Sequence, residues 1–150
     1  MRVFDGIADL EKAAGTHLGH SEWHTVNQDQ IDAFAAATGD HQWIHVDPPK
    51  AAEGPFGSTV AHGFLTLSLV PMLTWQVYKV EGVTMSVNYG ADKLRFPSPV
   101  PVGSRVRAGV ELTSVTPNKL GYQVATRVTI ERDGGDNPAC VVDTLAVVVP

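Results

Sequence analysis

An α+β fold, with one long central helix wrapped by a curved antiparallel β-sheet, is predicted for this chain by three observations. Residues 1 to about 80 carry helix and loop signals, whereas the chain from about residue 83 onward is rich in Val and Thr with period-2 alternation, so helices and sheet are segregated. The stretch from Gly63 to about Tyr78 is helical in length and apolar on nearly every side, the pattern of a helix enclosed by other structure. Turn signals divide the second half into alternating runs, as a meander requires. At 150 residues the chain fits one domain, 1–150, whose core needs neither disulfides nor metal.

Each element follows from local chemistry. Asn27 is placed to cap a helix with Gln30 at its third position, and Ile31, Phe34, Ala35 and Thr38 share one face before Gly39 stops it. Residues 40–46 read as a loop, and Asp47 followed by Pro48 caps a short helix over 48–53. Gly54-Pro55-Phe56-Gly57 breaks the chain ahead of the central helix, which Pro71 should kink or interrupt. Val106, Ala108, Val110 and Leu112 alternate with Arg105, Arg107, Glu111 and Thr113, giving one buried and one wetter strand face. Tyr122, Val124, Thr126, Val128 and Ile130 repeat the pattern, and Val141 to Val149 forms the last strand. Thr116-Pro117-Asn118-Lys119 and Asp133 to Pro138 are the expected turns. An apolar helix wrapped in this way is the hotdog architecture.

Composition narrows the partners. Eleven Lys and Arg stand against sixteen Asp and Glu, a formal charge of -5, which argues against a nucleic-acid-binding protein and favours small organic substrates. Cys140 is the only cysteine, so no intrachain disulfide forms and a reduced cytoplasm is the expected location. Met1 to Gly15 lacks the apolar run of a signal peptide, and Phe64 to Trp75 is too short to span a bilayer, so no membrane association is expected.

Asp40 and His45 are the candidates for proton-transfer chemistry, five positions apart and directly after a helix-like stretch. A carboxylate takes a proton from water, and an imidazole gives or takes one near neutral pH, so two such groups facing one cavity suit adding or removing water. The bland reading is a turn aspartate and a solvated or core-bonded histidine. His41 and His45 are four apart with Asp40 and Asp47 nearby, yet no Cys or His cluster or H-E-x-x-H signature accompanies them, and no metal is expected. Ser58, Thr59 and Ser68 are weak substrate contacts, since hydroxyls in such settings mostly satisfy local backbone. Phe56 and Gly57 border a pocket or merely shape a loop. Lys93 and Arg95 meet phosphates or form the solvated face of an edge strand. His62 lines the site or caps the helix that follows.

Phe34 to Ala52, reading Phe-Ala-Ala-Ala-Thr-Gly-Asp-His-Gln-Trp-Ile-His-Val-Asp-Pro-Pro-Lys-Ala-Ala, closely resembles the hydratase-2 motif of MaoC-like (R)-specific enoyl-CoA hydratases. Ala61-His62-Gly63-Phe64 and the segments Asn88-Tyr89-Gly90 and Phe96-Pro97-Ser98-Pro99-Val100 are similar to the same family. Many members carry Asn-Pro where this chain has Gln42-Trp43, and Gln with a bulky residue resembles a NodN-like subgroup; the difference bears on pocket shape and substrate length.

The resemblance implies a hotdog homodimer that reversibly hydrates a trans-2-enoyl-CoA to the (3R)-3-hydroxyacyl-CoA. It needs no separate cofactor, because coenzyme A is part of the acyl-CoA thioester substrate. Asp40 and His45 match the catalytic pair and would hold one water, Asp40 helping to deprotonate it while His45 orients it and shuttles a proton toward the α-carbon. The Gly63 N–H, at the expected start of the central helix, would polarise the thioester carbonyl. Substrate contacts are expected from His62, Gln42, Trp43, Phe56, Gly57, Ser68, Lys93 and Arg95. Two other readings stand beside this one: a hotdog acyl-CoA thioesterase, and a non-catalytic acyl-thioester-binding subunit of a hetero-oligomer.

Overall fold

Fourteen elements build the chain in the computed structural model, which describes residues 1–150. They run β1 (Arg2–Phe4), α1 (Ile7–Lys12), β2 (Thr16–His20), β3 (His24–Thr25), α2 (Gln28–Thr38), α3 (Trp43–Val46), α4 (Pro48–Ala52), α5 (Gly63–Ser68), α6 (Val70–Val77), β4 (Tyr78–Val80), β5 (Met85–Arg95), β6 (Arg105–Asn118), β7 (Gly121–Arg132) and β8 (Cys140–Val149). The main sheet is antiparallel in the order β2-β6-β7-β8-β5, with β3 sharing the β2 side of β6; β1 and β4 form a separate parallel pair. Register shifts at His17/Gly19, Asn88/Gly90, Asp92/Arg95 and Leu112/Ser114 are bulges of the kind that curve a sheet.

The central segment lies in the concavity of this sheet, as anticipated, and Pro71 divides it. Two helices, α5 and α6, meet at Leu69, where the missing proline N–H removes one ladder bond. Leu65, Leu69, Val70, Leu73 and Val77 join Val106, Ala108, Val110, Leu112, Val128 and Ile130 in one core. The alternation on β6 and β7 therefore places the apolar residues inward, as read from sequence. Enclosure is incomplete, however. Phe64 and Trp75 are largely exposed, and β5, the free edge of the sheet, is exposed along nearly its whole length.

The remaining departures are local. Four short strands, β1 to β4, lie in the half expected to hold only helices and loops; at two to five residues they are too short to display alternation. The turn expected over residues 116–119 is tighter, because β6 continues through Thr116, Pro117 and Asn118 and the hairpin turns at Lys119-Leu120. The Asn118 side chain accepts from the Leu120 N–H, which closes that turn. Residues 40–46 are not all loop, since Trp43–Val46 form one helical turn, and this turn orients His45. The caps behave as expected: Asn27 accepts from the Gln30 N–H, Asp47 from the Lys50 N–H, and Gly39 adopts the left-handed conformation at φ 82°.

Candidate active site

The site begins where α2 ends. Gly39 turns the chain, Asp40 accepts from the Gln42 N–H at 3.3 Å in a local turn, and α3 then carries His45 inward to 7% exposure. Two outside contacts hold α3. The Val60 N–H donates to Ile44 O at 3.0 Å, and the Gln28 side-chain amide donates to His45 O at 2.8 Å. Gln28 also accepts from the Thr59 hydroxyl at 2.5 Å, so one residue on α2 joins α3 to the strand-like segment before α5. That segment is fixed in turn by Ala61 N–H to Val100 O and Val102 N–H to Thr59 O.

His45 Nδ1 lies 2.6 Å from Val60 O. A carbonyl only accepts, so the imidazole proton sits on Nδ1 and Nε2 is left as a free acceptor. Burial is the main influence pulling the His45 pKa down from its ordinary 6.5; the bond to Val60 opposes it, His62 adds to the lowering and Asp40 opposes it. Neutral His45 is therefore the resting form at pH 7. His62 stacks on it, with ring centroids 3.8 Å apart and planes 21° from parallel. The His62 Nε2–H donates to the Asp40 main-chain oxygen at 3.0 Å.

One donor atom from each of Asp40, His45 and His62 lies within 4.8 Å of the others, a set able to hold a metal ion. The sequence carries no Cys or His cluster and no H-E-x-x-H signature for a metal, and folding brings His62, seventeen residues beyond His45, beside the pair. One nitrogen of each ring is already engaged, His45 Nδ1 at Val60 O and His62 Nε2 at Asp40 O, which leaves one nitrogen on each.

Gly63 opens α5, where its N–H has no intrahelical partner. A Cβ there would stand 2.8 Å from the Phe96 ring, so only glycine leaves this approach unobstructed. His45, Gly63, Phe56, Thr66 and Phe96 line a common cleft of about 280 Å³. A larger, mainly apolar cavity of about 700 Å³ lies between α6 and the sheet, lined by residues including Pro71, Trp75, Tyr78 and Val148, with the hydrogen-bonded hydroxyls of Thr126 and Thr144 on its wall.

Residues 9–133 match the family model described as MaoC like domain. The chain belongs to the MaoC-like dehydratase family. It is 53% identical to 3-hydroxyacyl-thioester dehydratase Z of Mycobacterium tuberculosis over 97% of each chain. It is 45% identical to nodulation protein N of Rhizobium leguminosarum bv. viciae over 95% of this chain and 90% of that protein. The solved (R)-hydratase of Aeromonas caviae superposes with a TM-score of 0.74 at 28% identity, covering 91% of this chain and 96% of the other. The hotdog fold and the NodN-like affinity read from Gln42-Trp43 both stand.

Within this MaoC-like site, the residues read from sequence fall into distinct positions. Asp40, His45, His62 and Gly63 come together, and Phe56 lines the cleft from the loop that holds Gly57. Trp43 does not line it: its ring lies over Gly54 and beneath the Lys50 ammonium, 4.8 Å from the ring centre. Gln42 is exposed and contributes its main-chain N–H to Asp40. The Ser68 hydroxyl donates to Phe64 O, the local backbone role weighed against substrate contact. Lys93 and Arg95 are exposed at the β5 bulge, outside the cleft lining, where Lys93 takes φ 52°. Gln28, the Val60 carbonyl and Phe96 were not singled out for these roles, and no local sequence signal marks an amide that bridges residues 45 and 59.

Proposed function

We propose that this protein is an (R)-specific enoyl-CoA hydratase, adding water reversibly to a trans-2-enoyl-CoA to give the (3R)-3-hydroxyacyl-CoA. The observation that carries the reading is the His45 ring, its Nε2 free and one of its nitrogens within 4.8 Å of an Asp40 carboxylate oxygen, on the cleft that Gly63 also lines. A water held between the carboxylate and Nε2 attacks C3 of the enoyl group. The neutral imidazole takes its proton and passes it to C2, while Asp40 accepts the second O–H and increases the water's nucleophilicity. Hydroxyl thus adds to C3 and hydrogen to C2, and both side chains return to their starting states. Charge developing on the thioester oxygen is met by the Gly63 N–H and the N-terminal end of α5.

The acyl tail would run along α5 toward the cavity beside α6. Pro71 is eight residues beyond Gly63, about 12 Å at helical rise, and a cavity of drug-ligand size favours medium or bulky tails over crotonyl. Lys93 and Arg95 are available to coenzyme A phosphates from the exposed edge. That edge, with Met85, Val87 and Tyr89 exposed, is the surface on which a second copy would pair. No helix is long and apolar enough to cross a membrane, and a cytoplasmic setting accords with the lone, buried Cys140, whose thiol burial pushes up to about 11.

The decisive experiment is a chain-length series of trans-2-enoyl-CoAs, following loss of the conjugated absorbance with chiral analysis of the product. Asp40→Asn and His45→Gln should each lose about 10²- to 10⁴-fold in rate. A (3S) product, or near-normal activity in both variants, would overturn the proposal; free thiol release from saturated acyl-CoA would point to a thioesterase instead.

A further inference from the structure

His62 touches every part of the proposed machinery without lining the cleft itself. Its Nε2–H holds the Asp40 carbonyl across twenty-two residues of sequence, its ring covers one face of His45, and its own main chain leads into Gly63. Phe34 of α2 packs against it with ring centroids 4.8 Å apart. We propose that His62 is the positioning residue of this site, fixing the Asp40 turn by its hydrogen bond and the ring plane of His45 by stacking. The inference rests on the hydratase reading above, since it assigns His62 its role through Asp40 and His45.

The choice of residue type carries the argument. His62 is 2% exposed, and its Nδ1 is buried with no hydrogen-bond partner. An unpaired buried acceptor is a standing cost, and an aromatic ring without nitrogen would fill the same space between Phe34 and His45 without incurring it. Packing alone therefore favours Phe at this position. What Phe cannot supply is the N–H to Asp40, and the exposed Asp40 turn has few other anchors: the Gln42 N–H to its carboxylate at 3.3 Å and its own N–H to the Thr38 hydroxyl at 3.5 Å. The stack, in turn, covers one face of the His45 ring, whose one hydrogen bond is at Nδ1, and so fixes the plane in which the free Nε2 lies.

Two variants separate the two contacts. His62→Phe keeps a ring against His45 and loses the donor; His62→Gln keeps a donor near the Nε2 position and loses the ring. Expected for His62→Phe is a thermal midpoint at or above that of the unaltered protein, with kcat for enoyl-CoA hydration about 10- to 100-fold lower and KM within about threefold, as a misplaced catalytic group predicts. His62→Gln should recover the part of that loss that belongs to the Asp40 hydrogen bond, and the deficit that remains, at least about threefold in kcat, reads the stack. The titratable groups facing His45 are Asp40 and His62, so the Gln variant, which removes one of them and admits water, should move the acid limb of the kcat profile upward. A stable His62→Phe protein with kcat within threefold would overturn the proposal, as would full activity in His62→Gln, which lacks the stack. Independently of folding, ¹⁵N NMR of the unaltered protein should show His62 as the Nε2–H tautomer, and the Nδ1–H form would overturn the inference. If Asp40→Asn and His45→Gln retain activity, the hydratase reading itself falls; if they abolish it while His62→Phe is silent, only the role of His62 falls.

Discussion

Replacing Gly63 with Ala tests whether the thioester must approach the residue-63 N–H past a bare Cα, because the structure separates its effect on stability from its effect on chemistry. The new Cβ would lie 2.8 and 2.9 Å from Phe96 Cδ2 and Cε2, too close for either atom to stay. Phe96 is 39% exposed and meets Phe64 edge-on, so its ring has room to move outward. Overpacking of this kind costs about 1–3 kcal/mol, and alanine returns up to about 1 kcal/mol of helix propensity over glycine. The net loss of about 1–2 kcal/mol corresponds to a fall of roughly 2–8 °C in Tm for a domain of this size. Activity should suffer far more. Alanine keeps the N–H, but a methyl that holds the thioester oxygen out of its reach forfeits about 3 kcal/mol of transition-state stabilisation, roughly a 150-fold fall in kcat/KM. The assay is hydration of a trans-2-enoyl-CoA with a melting curve on the same preparation, and Gly63→Ala/Phe96→Ala serves as control. If the loss arises only from the displaced Phe96 ring, the double variant regains activity; if the methyl blocks the thioester, it does not. A folded Gly63→Ala protein with kcat/KM within fivefold of the unaltered protein would refute the reasoning that the thioester reaches this N–H only past a residue without a side chain.

Because burial lowers the His45 pKa, its neutral form persists to more acidic pH, so the acid limb of kcat should fall below 6.5 and vanish in His45→Gln; an acid limb above 6.5 in the unaltered enzyme contradicts the assignment. Gln28→Leu strips the donor from His45 O and the acceptor from the Thr59 hydroxyl, which should cost about 2–3 kcal/mol by denaturant titration and lower kcat, with little effect expected if α3 is self-supporting. Sedimentation should give a species of twice 16.0 kDa, and Val87→Lys/Tyr89→Lys on the exposed β5 edge should shift it to 16.0 kDa; a dimer unaffected by both changes would place the interface elsewhere.

The fold was legible where patterns repeat. Val106 to Leu112 and Tyr122 to Ile130 alternate over enough residues to fix which face is buried, and Asn27, Gly39, Asp47 and Pro71 each act through local chemistry that needs no distant partner. Elements that depend on partners were not legible. The strand at His24–Thr25 exists because it pairs with Val106 and Arg105, and β1 because it lies beside β4; neither carries an intrinsic signal. The apolar character of α5 and α6 was read as complete enclosure. Phe64 and Trp75, exposed beside an open β5 edge, show instead that one sequence pattern serves both a core face and an exposed one.

The same division runs through the site. Asp40 and His45 could be named because they fall within one short motif, and Gly63 because a helix start predicts a free N–H. Gln28, Val60 and His62 act across fifteen to twenty-two residues, and only the folded chain shows that an amide on α2 holds the carbonyl of the residue whose ring nitrogen faces Val60. Trp43 illustrates the converse. Within the motif it reads as a substrate contact, yet its ring needs somewhere to lie once α3 forms, and Gly54 provides that place: a Cβ there would stand 2.9 Å from Trp43 Cζ3. The Lys50 ammonium closes the other face of the ring. The bulky residue and the glycine eleven positions later are therefore one packing solution that joins α3 to the end of α4. Within the chain the indole bears on the cleft through the placement of α3, and hence of His45.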